Sequence, residues 1–310
     1  MADGRDEIRQ KDRTSNKYAA KKAASERLAA ERASQQRAER KRNILVAGSA
    51  TVGIIAVIVV IVLVGVTHKS STSVSGANAV VAAPSSVVDA ISSAATSTLT
   101  SATNPDFSTI TGPPTKLSGA ALKATDGLPE ILYVGAEYCP YCAATRWPLA
   151  VALSRFGTFT DLKTTYSADS DTAGPHTPTL SFYKSSYTSK YVDFVSVEHA
   201  DGAGNDLEPL TSEQNSLFSS LGGGAYPFID FGGAWMQKGS SYDPKLLSGM
   251  TPESVAKSIT DSSTKPGMSI QAGADVFTAI ICETTGGQPS NVCTATGVKG
   301  AEAAINGAGK

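Results

Sequence analysis

The sequence predicts an α/β fold preceded by a single N-terminal transmembrane helix. Three observations support this expectation: an uncharged stretch from Ile44 to Val66, an apolar β-prone run that ends just before Cys139, and apolar residues at helical spacing directly after it. With 310 residues, of which 41% are hydrophobic, the chain is long enough to bury a core.

Charge divides the chain near residue 42. Residues 1–42 carry 13 Lys and Arg against 7 Asp and Glu, whereas residues 43–310 carry 14 against 21. We interpret residues 1–42 as a basic cytoplasmic tail. The asymmetry indicates two environments rather than a nucleic-acid surface, so no nucleic acid is expected as a partner.

Residues 43–67 are predicted to be a transmembrane anchor. The 23 uncharged residues within this range would span roughly 34 Å as a helix, which matches a hydrocarbon core of about 30 Å. Because Arg40, Lys41 and Arg42 precede it, the N-terminus is placed in the cytoplasm and the rest of the chain outside the cell. A cleaved signal peptide is the competing interpretation, but the basic region and the apolar stretch are both too long for one.

Residues 68–126 are rich in Ser, Thr and Ala and are predicted to form a linker. One short helix is expected within it, because Ser86-x-x-Asp89 is a capping pattern and Val87 and Ile91 lie one helical turn apart. This helix would either dock on the following domain or fray.

A compact domain is predicted over residues 127–265, followed by a C-terminal extension over residues 266–310. The predicted elements are a strand, a helix, a strand, an inserted β-hairpin, a helix, two strands and a helix. The strand segments are EILYVGAEY, LKTTYSA, TLSFYKSSYTSKYVDFVSVE, PFIDFGG and AWMQKG. This order is a βαβ unit joined to a ββα unit, and it predicts the thioredoxin fold.

Two cysteines, Cys139 and Cys142, lie between the first predicted strand and the first helix. As the first cap of that helix, Cys139 would have its thiolate stabilised by unpaired backbone N–H groups, and Pro140 suits the first helical position. Cys142, in the same turn, would resolve a mixed disulfide. The pair is therefore predicted to be redox-active and catalytic, without a cofactor.

Other interpretations of the pair stay open. One alternative is an inert disulfide between Cys139 and Cys142. The other is a zinc site that these two cysteines form with Cys282 and Cys293. The ten-residue gap between Cys282 and Cys293 is poor spacing for zinc, and we predict no metal. The Cys-Pro-Tyr-Cys motif also matches glutaredoxins. A glutaredoxin role would need cytosolic glutathione, and the predicted topology argues against it.

A redox site of this fold needs a proline with a cis peptide bond facing the cysteines, and the residue before it binds an extended substrate through its backbone. Two candidates are present, Pro178 and Pro227. Pro227 follows a predicted helix and opens the final hairpin, which is the position that the topology requires. Tyr226 and Pro227 are therefore predicted to bind the substrate.

Four segments together resemble a known family. ILYVGAEYCPYCAATRWPLAVALSRFG, TPTLSFYKSSYTSKYVDFVSVE, PFIDFGG and FTAIICETTGGQPSNVC, behind a basic tail and a single anchor, are similar to domain of unknown function family 929, a membrane-anchored group from actinobacteria and archaea. The resemblance covers roughly residues 80–295. It implies a thioredoxin-like fold and assigns no activity.

Four further residues are candidates for a role at or beside the site. Glu137 and Arg146 would either tune the pKa of the thiols or form a plain ion pair between strand and helix. Cys282 and Cys293 are predicted to form a structural disulfide that closes a loop of about a dozen residues and contributes roughly 3 kcal/mol. The alternative is a pair that exchanges electrons with Cys139 and Cys142.

The predicted function is that of a membrane-anchored, extracytoplasmic thiol–disulfide oxidoreductase. Its expected partners are extracytoplasmic proteins that contain cysteines and a redox partner in the membrane. The alternative is a non-catalytic interaction protein of the cell envelope that keeps the fold and holds its cysteines as structural disulfides.

Overall fold

The computed structural model describes residues 79–101, 105–118, 122, 124 and 126–307, and these residues form a mixed α/β structure. The predicted tail (1–42) and anchor (43–67) lie outside the described residues. Within the described part, no helix is both long enough and apolar enough to cross a membrane.

The described strands fall into three sheets. Their bounds are β1 Val81–Ala82, β2 Thr115–Lys116, β3 Glu130–Ala136, β4 Gly157–Thr160, β5 Lys163–Tyr166, β6 Pro178–Ser181, β7 Ser186–Ser189, β8 Asp193–Ala200, β9 Phe228–Phe231 and β10 Trp235–Lys238. The largest sheet has the order β2-β10-β9-β3-β8. In it β3 and β8 are parallel, and the other pairings are antiparallel.

Seven α-helices are present among the described residues. They are α1 Ser85–Ser97, α2 Pro140–Leu153, α3 Ser212–Ser220, α4 Pro252–Ile259, α5 Lys265–Thr284, α6 Ser290–Cys293 and α7 Thr296–Gly307. Short 3₁₀ helices occur at Thr98–Thr100, Phe107–Thr109 and Pro244–Leu247.

The central sheet is buried on both faces, and side chains of β3 alternate between two cores. Ile131 and Tyr133 belong to the larger core, which also contains side chains of α1, α2, α4 and α5. Leu132 and Val134 point to the opposite face, where Phe218 of α3 covers them. This alternation follows from the two-residue period of a strand, and it explains why the segment reads as a continuous apolar run.

Local capping signals begin the last two helices of the predicted domain, after Thr211 and Thr251. Thr211 accepts from the backbone of Gln214 while the Gln214 side chain accepts from Thr211 N–H, so α3 begins with a capping box. A second box between Thr251 and Ser254 begins α4, with Pro252 in its first turn.

One part of the predicted topology is wrong. The segment LKTTYSA forms β5, but β5 pairs with β1 and β6 in a separate antiparallel sheet. The parallel partner of β3 is β8, which the sequence assigned to an inserted hairpin. The physical reason is apolar packing: β8, at the edge of the central sheet, contributes Phe194 to the larger core and Val197 to the core on the opposite face, whereas β5 is short and mostly polar.

Two segments outside the predicted domain contribute to the main core. The helix expected within residues 68–126 is α1, and it docks through Val87 and Ile91 instead of fraying. In the C-terminal extension, Cys282 lies in the 20-residue α5, which packs against α2. The residues on both sides of position 266 therefore share one core.

Candidate functional site

The site lies where β3 ends and α2 begins. Glu137 and Tyr138 form the turn after the strand, and Cys139 is the N-cap of α2, with extended backbone angles (φ −82°, ψ 121°). Pro140 follows in the first turn. The carboxyl end of β3 thus places Cys139 at the positive end of the helix dipole.

Cys139 is 7% exposed, and its sulfur is held by backbone groups. The sulfur accepts from the N–H of Cys142 at 3.4 Å, and the thiol donates to the carbonyl oxygen of Tyr226 at 3.9 Å. The hydrogen bond from the Cys142 side chain is the main cause that lowers the pKa of Cys139 to about 7, against the opposing effect of burial. Near neutral pH a large fraction of Cys139 is therefore thiolate.

The Cys142 sulfur is fully buried and behaves in the opposite way. It accepts from the N–H of Ala136 at 3.5 Å. Burial raises the pKa of Cys142 well above its usual range. Both cysteines are free thiols in the structure, so the pair combines a slightly exposed sulfur that is partly ionised near neutral pH with a fully buried sulfur that keeps its proton.

The Tyr226–Pro227 peptide bond is cis, the geometry predicted for it. The Tyr226 ring stacks on Phe218 at 5.1 Å and meets the edge of Tyr138 at 6.4 Å. The other candidate, Pro178, is the first residue of β6, and its carbonyl accepts from the indole of Trp147 at 3.0 Å. The structure therefore brings Tyr226, not Pro178, to the Cys139 sulfur.

Beneath the cysteines is a buried cluster of charges, Arg146, Glu198 and Glu137. Arg146 binds Glu198 through two contacts, Nε to Oε1 at 2.9 Å and Nη2 to Oε2 at 2.6 Å. The same Nη2 lies 3.8 Å from Glu137 Oε2. The ion pair expected between Glu137 and Arg146 is therefore the longer of two, because Glu198 occupies the closer, bidentate position.

Within this cluster, Glu137 interacts less closely with Arg146 than Glu198 does. Its Oε1 accepts from the hydroxyl of Ser181, and its Oε2 has no hydrogen-bond partner among the described residues. Burial, followed by the neighbouring Glu198 carboxylate, raises the pKa of Glu137 to about 7. The carboxyl is consequently close to half protonated at neutral pH.

Arg146 connects this cluster to the cysteines. The Nη2 of Arg146 donates to the carbonyl of Ala136 at 3.0 Å, and the backbone N–H of Ala136 donates to the Cys142 sulfur. Glu198 was missed from the sequence. The available signal was a charged residue inside an apolar, strand-forming run, since Glu198 is fully buried in β8.

A second residue that sequence reasoning missed is His199. Its Nδ1 is hydrogen-bonded to the hydroxyl of Tyr226, so it touches the loop that contacts Cys139. His176, by contrast, is exposed, lies 2.7 Å from Asp169 and stacks on Tyr166. No group of three or more His, Cys, Asp or Glu that could hold a metal ion occurs in the described part of the chain.

Cys282 and Cys293 form a disulfide between the last turn of α5 and α6. The neighbouring Glu283 accepts from the indole of Trp235, and Trp235 pairs with Phe231 beside the turn of the β9–β10 hairpin. Phe231 pairs in turn with Ile131 near the beginning of β3. The disulfide therefore lies at the end of the sheet opposite to Cys139.

Comparison with known proteins gives one match. The family model described as Domain of unknown function (DUF929) matches residues 114–222 and 212–283, which together make up more than half of the chain. No curated protein and no solved structure matches the chain.

Proposed function

The chain belongs to the DUF929 family, whose description assigns no activity, and we propose from its site that it is a thiol–disulfide oxidoreductase that acts on protein cysteines. The observation that carries this proposal is the asymmetry of the pair. The Cys139 thiol is free, retains 7% exposure and has a pKa of about 7, whereas Cys142 is fully buried and its pKa is raised.

The proposed reaction needs only these two sulfurs and a substrate disulfide. The Cys139 thiolate attacks one substrate sulfur, the substrate S–S bond breaks, and the other substrate sulfur leaves as a thiolate. Cys142 then loses its proton and attacks Cys139, which releases the second substrate thiolate and forms the Cys139–Cys142 disulfide. Two electrons pass to the substrate, and the reverse sequence oxidises a dithiol.

The substrate is proposed to bind beside Tyr226 and Pro227. The carbonyl oxygen of Tyr226 lies 3.9 Å from the Cys139 sulfur, so a polypeptide that reaches this sulfur passes along the Tyr226 backbone. Backbone pairing of this kind is tolerant of sequence because it uses main-chain groups. Arg146, Glu198 and Glu137 act through the charge that they place beneath the sulfurs.

We also propose a thioredoxin-like fold for the domain and an extracytoplasmic, membrane-anchored location for the protein. The β3–α2–β8 unit together with the β9–β10 hairpin supports a thioredoxin-like core. The composition of residues 43–67 supports a membrane anchor with the domain outside the cell, where its substrates would be extracytoplasmic proteins and a membrane redox partner would return the electrons. Protease digestion of intact cells is expected to remove the C-terminal domain and to leave the N-terminal tail protected.

Trapping tests the proposed activity. A Cys142→Ala variant, expressed in the native host and quenched with acid, is expected to accumulate disulfide-linked adducts on Cys139, because the resolving sulfur is absent. Non-reducing gels and mass spectrometry would identify them, and the Cys139→Ala, Cys142→Ala double variant is the matched control. If no adduct forms and Cys139 in the wild type stays permanently bonded to Cys142, the non-catalytic interaction protein becomes the better interpretation.

A further inference from the structure

Two cavities are lined by neighbours of the Cys139 site: Tyr138, the residue before Cys139, lines one, and His199, which bonds the Tyr226 hydroxyl, lines the other. One, of ≈660 Å³, is lined by Tyr138 and by the loops at residues 168–171 and 202–204. The other, of ≈400 Å³, is lined by His199, Asn215 and residues 206–212. Both volumes are in the range of ligand-binding pockets.

Contacts join the two cavities at the reactive sulfur. Tyr138 meets the edge of the Tyr226 ring, the Tyr226 carbonyl accepts from Cys139, and the Tyr226 hydroxyl bonds His199. The segment between His199 and Glu208 contributes to both walls. Tyr226 and Cys139 therefore lie between residues that line the two cavities, and we refer to the two cavities together with Cys139 and Tyr226 as the Cys139 groove.

The charged residues that line the Cys139 groove are acidic. Asp169 and Asp171 lie in the larger cavity, and Asp206 and Glu208 lie in the smaller one. Neither lining, within the described residues, contains a Lys or an Arg. The sequence shows the same bias, since residues 191–237 contain 7 Asp and Glu and no Lys or Arg.

Two of these carboxylates have a His or Lys side chain as a neighbour, and two do not in the contacts of the described residues. Asp169 is paired with His176, and Lys184 acts on Glu208 to oppose the effect of burial on its pKa. Asp171 is partly buried in the larger cavity and Asp206 is exposed in the smaller one. Burial is the main cause that raises the pKa of Tyr226, and the charge of Asp206 is one of the smaller causes. The negative field of these carboxylates is focused into the groove.

Aromatic side chains surround the cysteines between the two cavities. Tyr138 lines the larger cavity and contacts Tyr226, both are partly buried, and Tyr141, between the two cysteines, is 42% exposed. Aromatic faces attract cations as well as apolar side chains. Acidic side chains beside aromatic ones are complementary to a segment with basic side chains that have long apolar stems, as Lys and Arg do.

We propose that the Cys139 groove binds extended polypeptide segments that carry Lys or Arg within a few residues of the reacting cysteine. This inference rests on the proposed function, and it specifies the substrate class of the same site. Electrostatic complementarity of this type mainly increases the rate of association, and the increase is lost in high salt.

The test compares two cyclic peptides, each with one intramolecular disulfide, that differ only in whether Lys or Glu flanks the cysteines. The reduced full chain in detergent, in excess over peptide, transfers two electrons in a single turnover, and acid-quenched samples are read by mass spectrometry. The Lys peptide is expected to be reduced at least about 10-fold faster at low salt, the lower end of the effect of electrostatic steering, and the ratio is expected to fall as salt rises.

Matched variants assign the effect to the groove. Asp171→Asn combined with Asp206→Asn is expected to lower the ratio of the two rates several-fold, whereas Asp193→Asn is expected to retain it. Asp193→Asn removes one carboxylate charge outside the groove, at the first residue of β8, opposite Glu130 at the far end of β3, and is compared with each of the two single variants. Equal rates for the two peptides in the wild type would overturn the inference and leave the proposed function intact.

A second measurement separates the inference from the proposed function. Peptides in which Ser replaces both cysteines cannot react, and their binding is read by fluorescence anisotropy. Suppose that the reduced chain reduces neither disulfide peptide and the oxidised chain oxidises neither dithiol form, but the Lys–Ser peptide binds more tightly than the Glu–Ser peptide. The inferred binding preference is then supported and the proposed function is contradicted. If binding is equal as well, both fail.

Discussion

At the scale of single residues, the two sulfurs differ because their surroundings treat negative charge differently. Cys139 receives hydrogen bonds that stabilise its thiolate, whereas Cys142 lies fully buried and keeps its proton. The two buried carboxylates, Glu198 and Glu137, also differ in their surroundings. Glu198 holds Arg146 in a bidentate pair, and Glu137, 3.8 Å from the same guanidinium, is left with a pKa of about 7.

This difference predicts opposite results for one substitution made at two positions. Glu198→Gln is expected to lower the free energy of unfolding by about 3–5 kcal/mol, because it leaves the buried Arg146 charge without its closest partner. Glu137→Gln is expected to have little effect or to stabilise at pH 8, because it removes a carboxyl that is costly to ionise. Urea unfolding of the reduced protein, followed by Trp147 and Trp235 fluorescence, measures both.

The contribution of Glu137 to the free energy of unfolding is expected to depend on pH. Its pKa is raised from 4.5 to about 7 in the folded protein, so its contribution to stability is complete below pH 4.5 and is lost as pH rises through 7. Across this pH range, its contribution to the free energy of unfolding falls by roughly 3 kcal/mol. The stability of the wild type relative to Glu137→Gln should therefore fall across this window, while exposed Glu213→Gln serves as a control without such a trend. Equal losses for Glu137→Gln and Glu198→Gln at pH 8 would contradict the assignment.

Some of these residues could be predicted from the sequence because their roles depend on near neighbours. Cys139, Pro140 and Cys142 lie within one helical turn, so their relation follows from helix geometry. Glu198 could not be assigned, since it reaches Arg146 only through the parallel register that sets Glu198 opposite Gly135. His199 was missed for the same reason, because its partner Tyr226 lies on another loop.

At the scale of secondary structure, α1 shows how a short amphipathic pattern acquires stability from packing. Val87, Ile91 and Ala94 form its buried stripe, and α1 packs against α2 and α4. A helix of 13 residues is marginal by itself in water. Its stability therefore comes from packing against the core, and without α1 the apolar residues that it covers would be exposed to solvent.

Ile91→Ala tests this role of α1. Ile91 is 1% exposed, and its truncation is expected to lower the free energy of unfolding of the whole domain by about 2–5 kcal/mol. Ser92→Ala, at an exposed position of the same helix, should change it by less than about 0.5 kcal/mol. Thermal or urea unfolding provides the comparison. A single cooperative transition, unchanged in midpoint by Ile91→Ala, would mean that α1 contributes nothing to the fold.

The elements that the sequence predicted correctly are those with signals inside the element. The capping boxes at Thr211 and Thr251 and the hairpin of β9 and β10 depend only on nearby residues. The partner of β3 does not, because β5 and β8 are both β-prone and both follow α2. The choice of β8 depends on burial from both sides, which arises only when α3 and the larger core close around it.

At the scale of the whole molecule, the two cysteine pairs occupy opposite ends of the central sheet. Cys139 follows the carboxyl end of β3, whereas Cys282 lies near Phe231 and Ile131, at the other end. The 7 residues of β3 extend about 20 Å. Thiol exchange requires direct contact between sulfurs, so the pairs within one molecule cannot exchange without rearranging the sheet.

The position of the second pair therefore favours the structural role over electron transfer, and the two roles predict different behaviour of one variant. Cys282→Ser combined with Cys293→Ser opens a loop with a sequence separation of 11, and it is expected to lower the free energy of unfolding by roughly 3 kcal/mol. Below the unfolding transition, the rate of peptide disulfide reduction in a single turnover should equal that of the wild type, because Cys139 and Cys142 keep their surroundings. Thr294→Ser, beside Cys293, keeps the disulfide and controls for local change. Loss of turnover at unchanged stability would instead assign Cys282 and Cys293 to the electron path and would require contact between two molecules.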